Sequence, residues 1–177
     1  KKLIAYSSVS HMGFSLLGMA ALTPAGISGA VLNLFTHGII SPMLFLIVGV
    51  IYDRAHHRDI ERFGGLAQIL PEYTGMMGLA FFASLGLPGL CGFISAFLVF
   101  SGAFPVFMTY TIVSATSVII TAAYYLWAIH RMFLGKVNEA YRGLPDLAWR
   151  ERFTLYPLAL IAVVLGLMMI YALGTVA

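Results

Sequence analysis

Two histidines stand in nearly identical polar settings. Ser7, His11 and Ser15 recur at i, i+4 and i+8, and Asn33, His37 and Ser41 repeat that spacing. On a helix, four-residue steps bring side chains to one face. Each imidazole would then sit inside a polar stripe, with Tyr6 and Ser10 beside the first and Thr36 beside the second. Histidine, with an ordinary pKa of about 6.5, takes and releases a proton near neutrality. Hydroxyls, amides and water can pass that proton on. Two facing stripes of this kind can form a proton pathway. The same pattern also suits hydrogen bonding that fixes two helices together, and the residues alone leave both readings open.

The elements that must hold these stripes lie in lipid. Of 177 residues, 60% are apolar and 10% charged. Soluble domains average roughly 45–50% and about 25%. The mean hydropathy is +0.94. Ten Lys and Arg with seven Asp and Glu cannot cover a water-soluble surface of this size. The composition excludes a soluble enzyme, a disordered tail and a secreted disulfide scaffold; the single Cys91 has no partner in the chain. The net charge of +3 is not read as a nucleic-acid signal, because the basic residues are few and lie between apolar runs.

A membrane-crossing helix needs about 20 mainly apolar residues. Five runs qualify: residues 3–22, 27–52, 73–101, 105–130 and 153–173, none containing Asp, Glu, Lys or Arg. The predicted fold class is an all-α integral membrane bundle of five transmembrane helices, within a single membrane domain fragment, residues 1–177. A barrel strand is ruled out by the length of the runs. The first two runs are joined by Thr23-Pro24-Ala25-Gly26, which makes them antiparallel neighbours. The third contains Leu85-Gly86-Leu87-Pro88-Gly89. Pro88 removes a backbone donor and Gly86 and Gly89 relax the chain, so this helix is expected to break at mid-membrane. Broken helices at that depth mark ion pathways in transporters.

All ten basic residues precede run one, lie between runs two and three, or lie between runs four and five. Five crossings put those segments on one side. Basic loops stay inside, so the N-terminus is expected inside and the C-terminus outside. The loop holding His56 and His57 reads as solvated; two adjacent imidazoles without further ligands do not make a metal site. In the second inside loop, Leu144, Leu147 and Trp149 are expected to rest on the membrane surface. In run four, Ser114, Ser117, Thr121 and Tyr125 share a face that could line water or bond neighbouring helices, and the second reading is preferred. Trp127 and His130 read as interfacial anchors, and run five as a lipid-facing helix. Nucleotide-binding loops, metal-ligand clusters and nucleophile triads are lacking, so no catalytic, cofactor-binding or metal residue is assigned.

The order of motifs along the chain resembles a known family. Lys-Lys-Leu-Ile-Ala-Tyr-Ser-Ser-Val-Ser-His-Met-Gly opens it, and Thr36-His37-Gly38 with Leu44-Phe45 follows. Then come Tyr52-Asp53-Arg54, His57-Arg58-Asp59, Gly64-Gly65-Leu66 and Leu85-Gly86-Leu87-Pro88-Gly89 with Gly92-Phe93. Together they resemble the antiporter-like, proton-translocating membrane subunits of respiratory complex I, most closely the subunit 4, or chain M, type. The resemblance covers essentially the whole chain, which would form the last third of such a subunit; the sequence reads as an excerpt of a longer polypeptide. It implies a subunit of an NADH:quinone oxidoreductase that couples quinone reduction elsewhere to proton transfer. Flavin, iron–sulfur clusters and quinone would sit in partner subunits, and other membrane-arm subunits and the bilayer would be the partners. The location would be an energy-coupling membrane, the bacterial inner membrane. His11 and His37 match histidines of the family, and Ser7, Ser10, Ser15, Asn33 and Ser41 complete the expected proton-pathway set. One departure matters: where the family carries a glutamate or lysine four residues after Gly92, this chain has Ala96. A non-pumping structural subunit, a cation/proton antiporter subunit and a membrane-bound hydrogenase subunit are therefore the alternatives.

Overall fold

The computed structural model describes residues 1–176, with side chains through Ala172; Ala177 lies outside the described residues. Seven α-helices and no strand occur among them. They are α1 (Lys2–Ala20), α2 (Pro24–Ala55), the one-turn α3 (Leu66–Ile69), α4 (Pro71–Leu85), α5 (Cys91–Ala103), α6 (Met108–Phe133) and α7 (Trp149–Val176). Helices α1, α2, α6 and α7 are long and apolar enough to cross a membrane, and α5 is a shorter apolar helix. The molecule is an all-helical membrane protein whose outward faces are apolar: Val9 and Leu16 on α1, Ile119 and Ile120 on α6, and Leu160 and Met168 on α7 are exposed.

Each boundary has a local cause. Thr23 caps α2 by accepting from the Gly26 amide (3.0 Å), and Pro24 follows at the first helical position, where its missing N–H costs nothing. At the other end His56 adopts the left-handed conformation, φ 56°, and its amide closes on the Tyr52 carbonyl at 2.8 Å. Helix α4 stops at Gly86, φ 80°, with the Gly86 amide on the Ala83 carbonyl (3.3 Å) and the Leu87 amide on the Phe82 carbonyl (3.0 Å). That pair of bonds is the Schellman terminator, which relies on a left-handed residue and so favours glycine. Pro88 cannot resume the helix, and the chain restarts at Cys91.

In lipid, apolar burial does not by itself drive helices together, so close approach through small residues matters more. The α1–α2–α5 contact is built this way. A Cβ placed on Gly29 would stand 2.5 Å from the Val99 amide nitrogen, and one on Gly102 would collide with the Gly26 backbone. At the same end Thr23 Oγ1 donates to the Gly102 carbonyl at 2.9 Å. Larger side chains fill the rest of the core. Met43, Leu44 and Ile47 of α2 and Tyr73, Met77 and Ala80 of α4 are buried together with Leu155 of α7.

The opposite end of the bundle holds the charges. Arg54, at the end of α2, uses every guanidinium N–H. Its Nη1 and Nη2 donate to the two oxygens of Glu151 (2.9 and 2.6 Å), Nε to the Pro145 carbonyl (2.8 Å), Nη2 also to the Asp146 carbonyl (2.9 Å) and Nη1 to the Val50 carbonyl (3.0 Å). The Asp146 carboxylate accepts from the Glu72 and Tyr73 amides (2.9 and 3.0 Å) and so caps α4 from across the fold. Glu72 in turn receives Arg152 at 2.6 Å. The end of α2, the start of α4 and the connector leading into α7 therefore form one clasp. Leu147, expected on the membrane surface, is buried in the core, and Leu144 packs against it, whereas Trp149 is exposed. The backbone of residues 145–147, pinned by Arg54 and Asp146, turns Leu147 inward.

Two predictions follow from this packing. Replacing Gly29 by valine should lower stability in detergent by about 1–3 kcal/mol, the usual cost of overpacking; Gly75→Ala, with no atom near its Cβ position, should stay within ~0.5 kcal/mol. Replacing Asp146 by alanine should cost about 1–2 kcal/mol through loss of the cap. Thermal melts of the purified protein read both.

Candidate functional site

A cavity of about 370 Å³ lies where α1 and α2 meet the interruption between α4 and α5, with α6 closing one side. His11, Asn33, Thr36, His37, Ser84 and Thr121 supply its polar wall. Phe14, Phe93, Phe97 and Phe100 line the remainder, and Ala96 presents a methyl group there. No Asp, Glu, Lys or Arg is among the lining residues. A single water requires only about 10–15 Å³ of such space and two to four polar partners, so the polar wall can hold several.

The two imidazoles stand side by side. Their ring centres are 5.5 Å apart with planes tilted by 40°. The His11 and Phe14 rings are nearly perpendicular with centres 5.8 Å apart, and His11 Nε2 lies 3.1 Å from Ser84 Oγ. Both histidines reach the cavity because each four-residue stripe turns toward the neighbouring helix, and the small residues at the α1–α2–α5 contact let the backbones approach closely.

Asn33 joins three helices. Its Nδ2 donates to the His11 carbonyl (2.9 Å) and to Ser15 Oγ (3.0 Å), both on α1. Its Oδ1 accepts from Ser95 Oγ of α5 at 3.2 Å, and Thr36 Oγ1 lies 3.4 Å from the same hydroxyl. Asn33, Ser15, Thr36 and Ser95 are all buried. Buried polar groups must be paired, and here each is paired across a helix boundary.

The expected site residues thus fall into four groups. His11, His37 and Asn33 line the cavity. Ser15 stands behind it, bonded to Asn33. Ser7 is linked to it only through Tyr125 and Ser84, by a chain of hydroxyls: Tyr125 Oη donates to Ser7 Oγ at 2.9 Å and lies 2.9 Å from Ser84 Oγ. Ser10 and Ser41 are half-buried and outside the lining. The polar face of α6 differs from expectation. Ser117 and Thr121 donate back to the Ser114 and Ser117 carbonyls of their own helix (2.6 and 2.8 Å), which satisfies them without a neighbour. Of that face, Tyr125 supplies the bonds to other helices.

Ser84 was not singled out by its spacing. Its position two residues before the terminating Gly86 was the available signal, because a hydroxyl in a helix's last turn next to a break faces whatever the break exposes. Replacing Asn33 by alanine should cost about 1–3 kcal/mol, the penalty for leaving buried partners unmet. Ser41→Ala should change stability by less than ~0.5 kcal/mol; denaturant or thermal unfolding of the purified protein measures both.

Residues 1–121 match the family described as NADH:quinone oxidoreductase/Mrp antiporter, TM. The chain is 41% identical over 167 residues to NADH-quinone oxidoreductase subunit M of Rhodobacter capsulatus, covering 94% of this chain and 33% of that one. It is 40% identical over 167 residues to the F(420)H(2) dehydrogenase subunit M of Methanosarcina mazei, covering 94% and 34%. In the structure of respiratory complex I from Thermus thermophilus with bound NADH, one chain superposes with a TM-score of 0.86 at 34% identity, over 92% of this chain and 34% of that one. The chain therefore spans about a third of the length of the relatives it matches. With a match over more than half its residues, and with relatives of this identity across nearly all of it, the chain belongs to the NADH:quinone oxidoreductase/Mrp antiporter transmembrane family.

Proposed function

We propose that this chain is the C-terminal third of a proton-translocating, antiporter-like membrane-arm subunit of a complex I-type NADH:quinone oxidoreductase. The redox cofactors (flavin, iron–sulfur clusters and quinone) belong to partner subunits, and this chain moves protons. In this reading α4 and α5 make one crossing, the third of five, broken at mid-membrane. The clustering of all the basic residues at the clasp end supports an inside position for that end and an outside position for the C-terminus, in an energy-coupling membrane such as the bacterial inner membrane.

The observation that carries the proposal is the His11–His37 pair, 5.5 Å apart on the wall of a cavity at the helix interruption. Ionisable groups inside a membrane are costly and default to function. A proton reaching the cavity water can be held on one imidazole and passed to the other through water. Asn33 and Ser15 fix the α1 and α2 backbones that present the rings. Ser7 acts at a distance through hydroxyls, and Ser10 and Ser41 are lesser candidates. Moving one charge through 100 mV requires about 2.3 kcal/mol, so protonation must be driven from neighbouring subunits rather than run freely.

Ala96 favours a second reading, a structural subunit that fills the membrane arm without pumping. Its methyl group occupies the cavity wall where relatives of the resembled type carry a titratable side chain, and no carboxylate lines the site. The discriminating experiment replaces His37 by alanine in the native assembly and measures protons translocated per electron transferred. A lowered ratio with intact electron transfer is expected. An unchanged ratio in a fully assembled complex overturns the pumping role and leaves the structural one.

A further inference from the structure

The hydroxyl chain behind His11 has a direction. Ser7 Oγ donates to the Ile4 carbonyl at 2.8 Å, an acceptor only. Ser7 has one hydroxyl proton, so toward Tyr125 it accepts, and Tyr125 Oη donates to it at 2.9 Å. A phenol also has one proton. At its 2.9 Å contact with Ser84 Oγ, Tyr125 therefore accepts and Ser84 donates. Ser84 has then used its proton, so at 3.1 Å it accepts from His11 Nε2. A backbone carbonyl at one end sets the polarity of every bond up to the imidazole.

We infer that Ser7, Tyr125 and Ser84 form a tautomer lock that holds the proton on His11 Nε2, so that His11 gains and loses protons at Nδ1 alone. The inference rests on the reading of His11 as a proton carrier and deepens it. Nε2 donates to Ser84 in both the neutral ring and the imidazolium, so protonation leaves the chain in place. Tyr125 and Ser84 are positioning residues: they decide which ring nitrogen meets the pathway. The lock also holds the ring in place, because Tyr125 is buried and its ring stacks on Phe81 at 4.5 Å. A chain free to reverse would carry a proton toward Ser7; this one ends on a carbonyl and carries none.

The test uses the full-length subunit in its native assembly with nitrogen-15-labelled histidine, observed by solid-state NMR. His11→Gln identifies the His11 signals by difference. In the parent protein His11 should show the Nε2–H form in excess of the Nδ1–H form by roughly fivefold or more, the ratio one ordinary hydrogen bond sustains. Tyr125→Phe keeps the stacked ring and frees Ser84 to donate, so the excess should fall to less than about threefold. Ser84→Ala removes the acceptor itself and should do the same, which covers the case where the tyrosine variant fails to assemble. An Nδ1–H form in the parent, or an unchanged excess in whichever variants assemble, overturns the lock. The proton-to-electron ratio of His11→Gln tests the other claim separately: an unchanged ratio beside a shifted tautomer removes the carrier role and leaves the lock.

Discussion

A backbone carbonyl or amide that meets no partner inside hydrocarbon costs several kcal/mol. The interruption between α4 and α5 is organised by that constraint. Gly86 ends α4 with two terminating bonds, and the Leu90 amide closes a turn on the Leu87 carbonyl at 3.0 Å. The turn also needs room. A side chain on Gly92 would collide with the Ala83 carbonyl, so the two half-helices approach through glycine. A cavity sits beside this partly self-bonded break, with side chains on its wall.

Within that frame the polar side chains divide their work. Asn33, Ser15, Thr36 and Ser95 tie three helices into a fixed seam. The Ser7–Tyr125–Ser84 chain anchors one edge of the His11 ring from a fourth helix and from α4. His37 stands opposite, half-buried, with its ring toward that of His11. A pair of titratable rings between two rigid polar networks can exchange protons without the helices having to rearrange around each transfer. No Asp, Glu, Lys or Arg side chain lines the site beside them.

Much of this was legible in the residues. Four-residue spacing in two adjacent runs placed His11, Asn33, His37 and Ser15 near one another, because helix periodicity is local and the connecting turn is short. Gly86-Leu87-Pro88-Gly89 announced a stop for the same local reason. Contacts between residues distant in the chain were not legible. Ser84 and Tyr125 are 41 residues apart, and nothing in either segment names the other. The hydroxyls of α6 had two ways to be satisfied, and periodicity cannot tell a bond to the helix's own carbonyls from one to a neighbour. Leu147 read as a surface residue because its inward turn depends on Arg54, 93 positions away by number, and on Asp146 seated on α4. Ala96 was visible as a departure, and it lines the same cavity as the two imidazoles.

Gly166 of α7 adds a mechanical consequence. A side chain there would run into the Gly89 carbonyl and the Leu90 backbone, so α7 lies directly against the interruption. The far end of α4 is held by Asp146, and the far end of α5 by Thr23 and the Gly26–Gly102 contact. With both outer ends tethered, any flexing of the α4–α5 pair concentrates at residues 86–90, and α7 is the splint laid along that joint. The last helix, which carries no polar side chain of the cavity wall, thus limits how far the joint can bend.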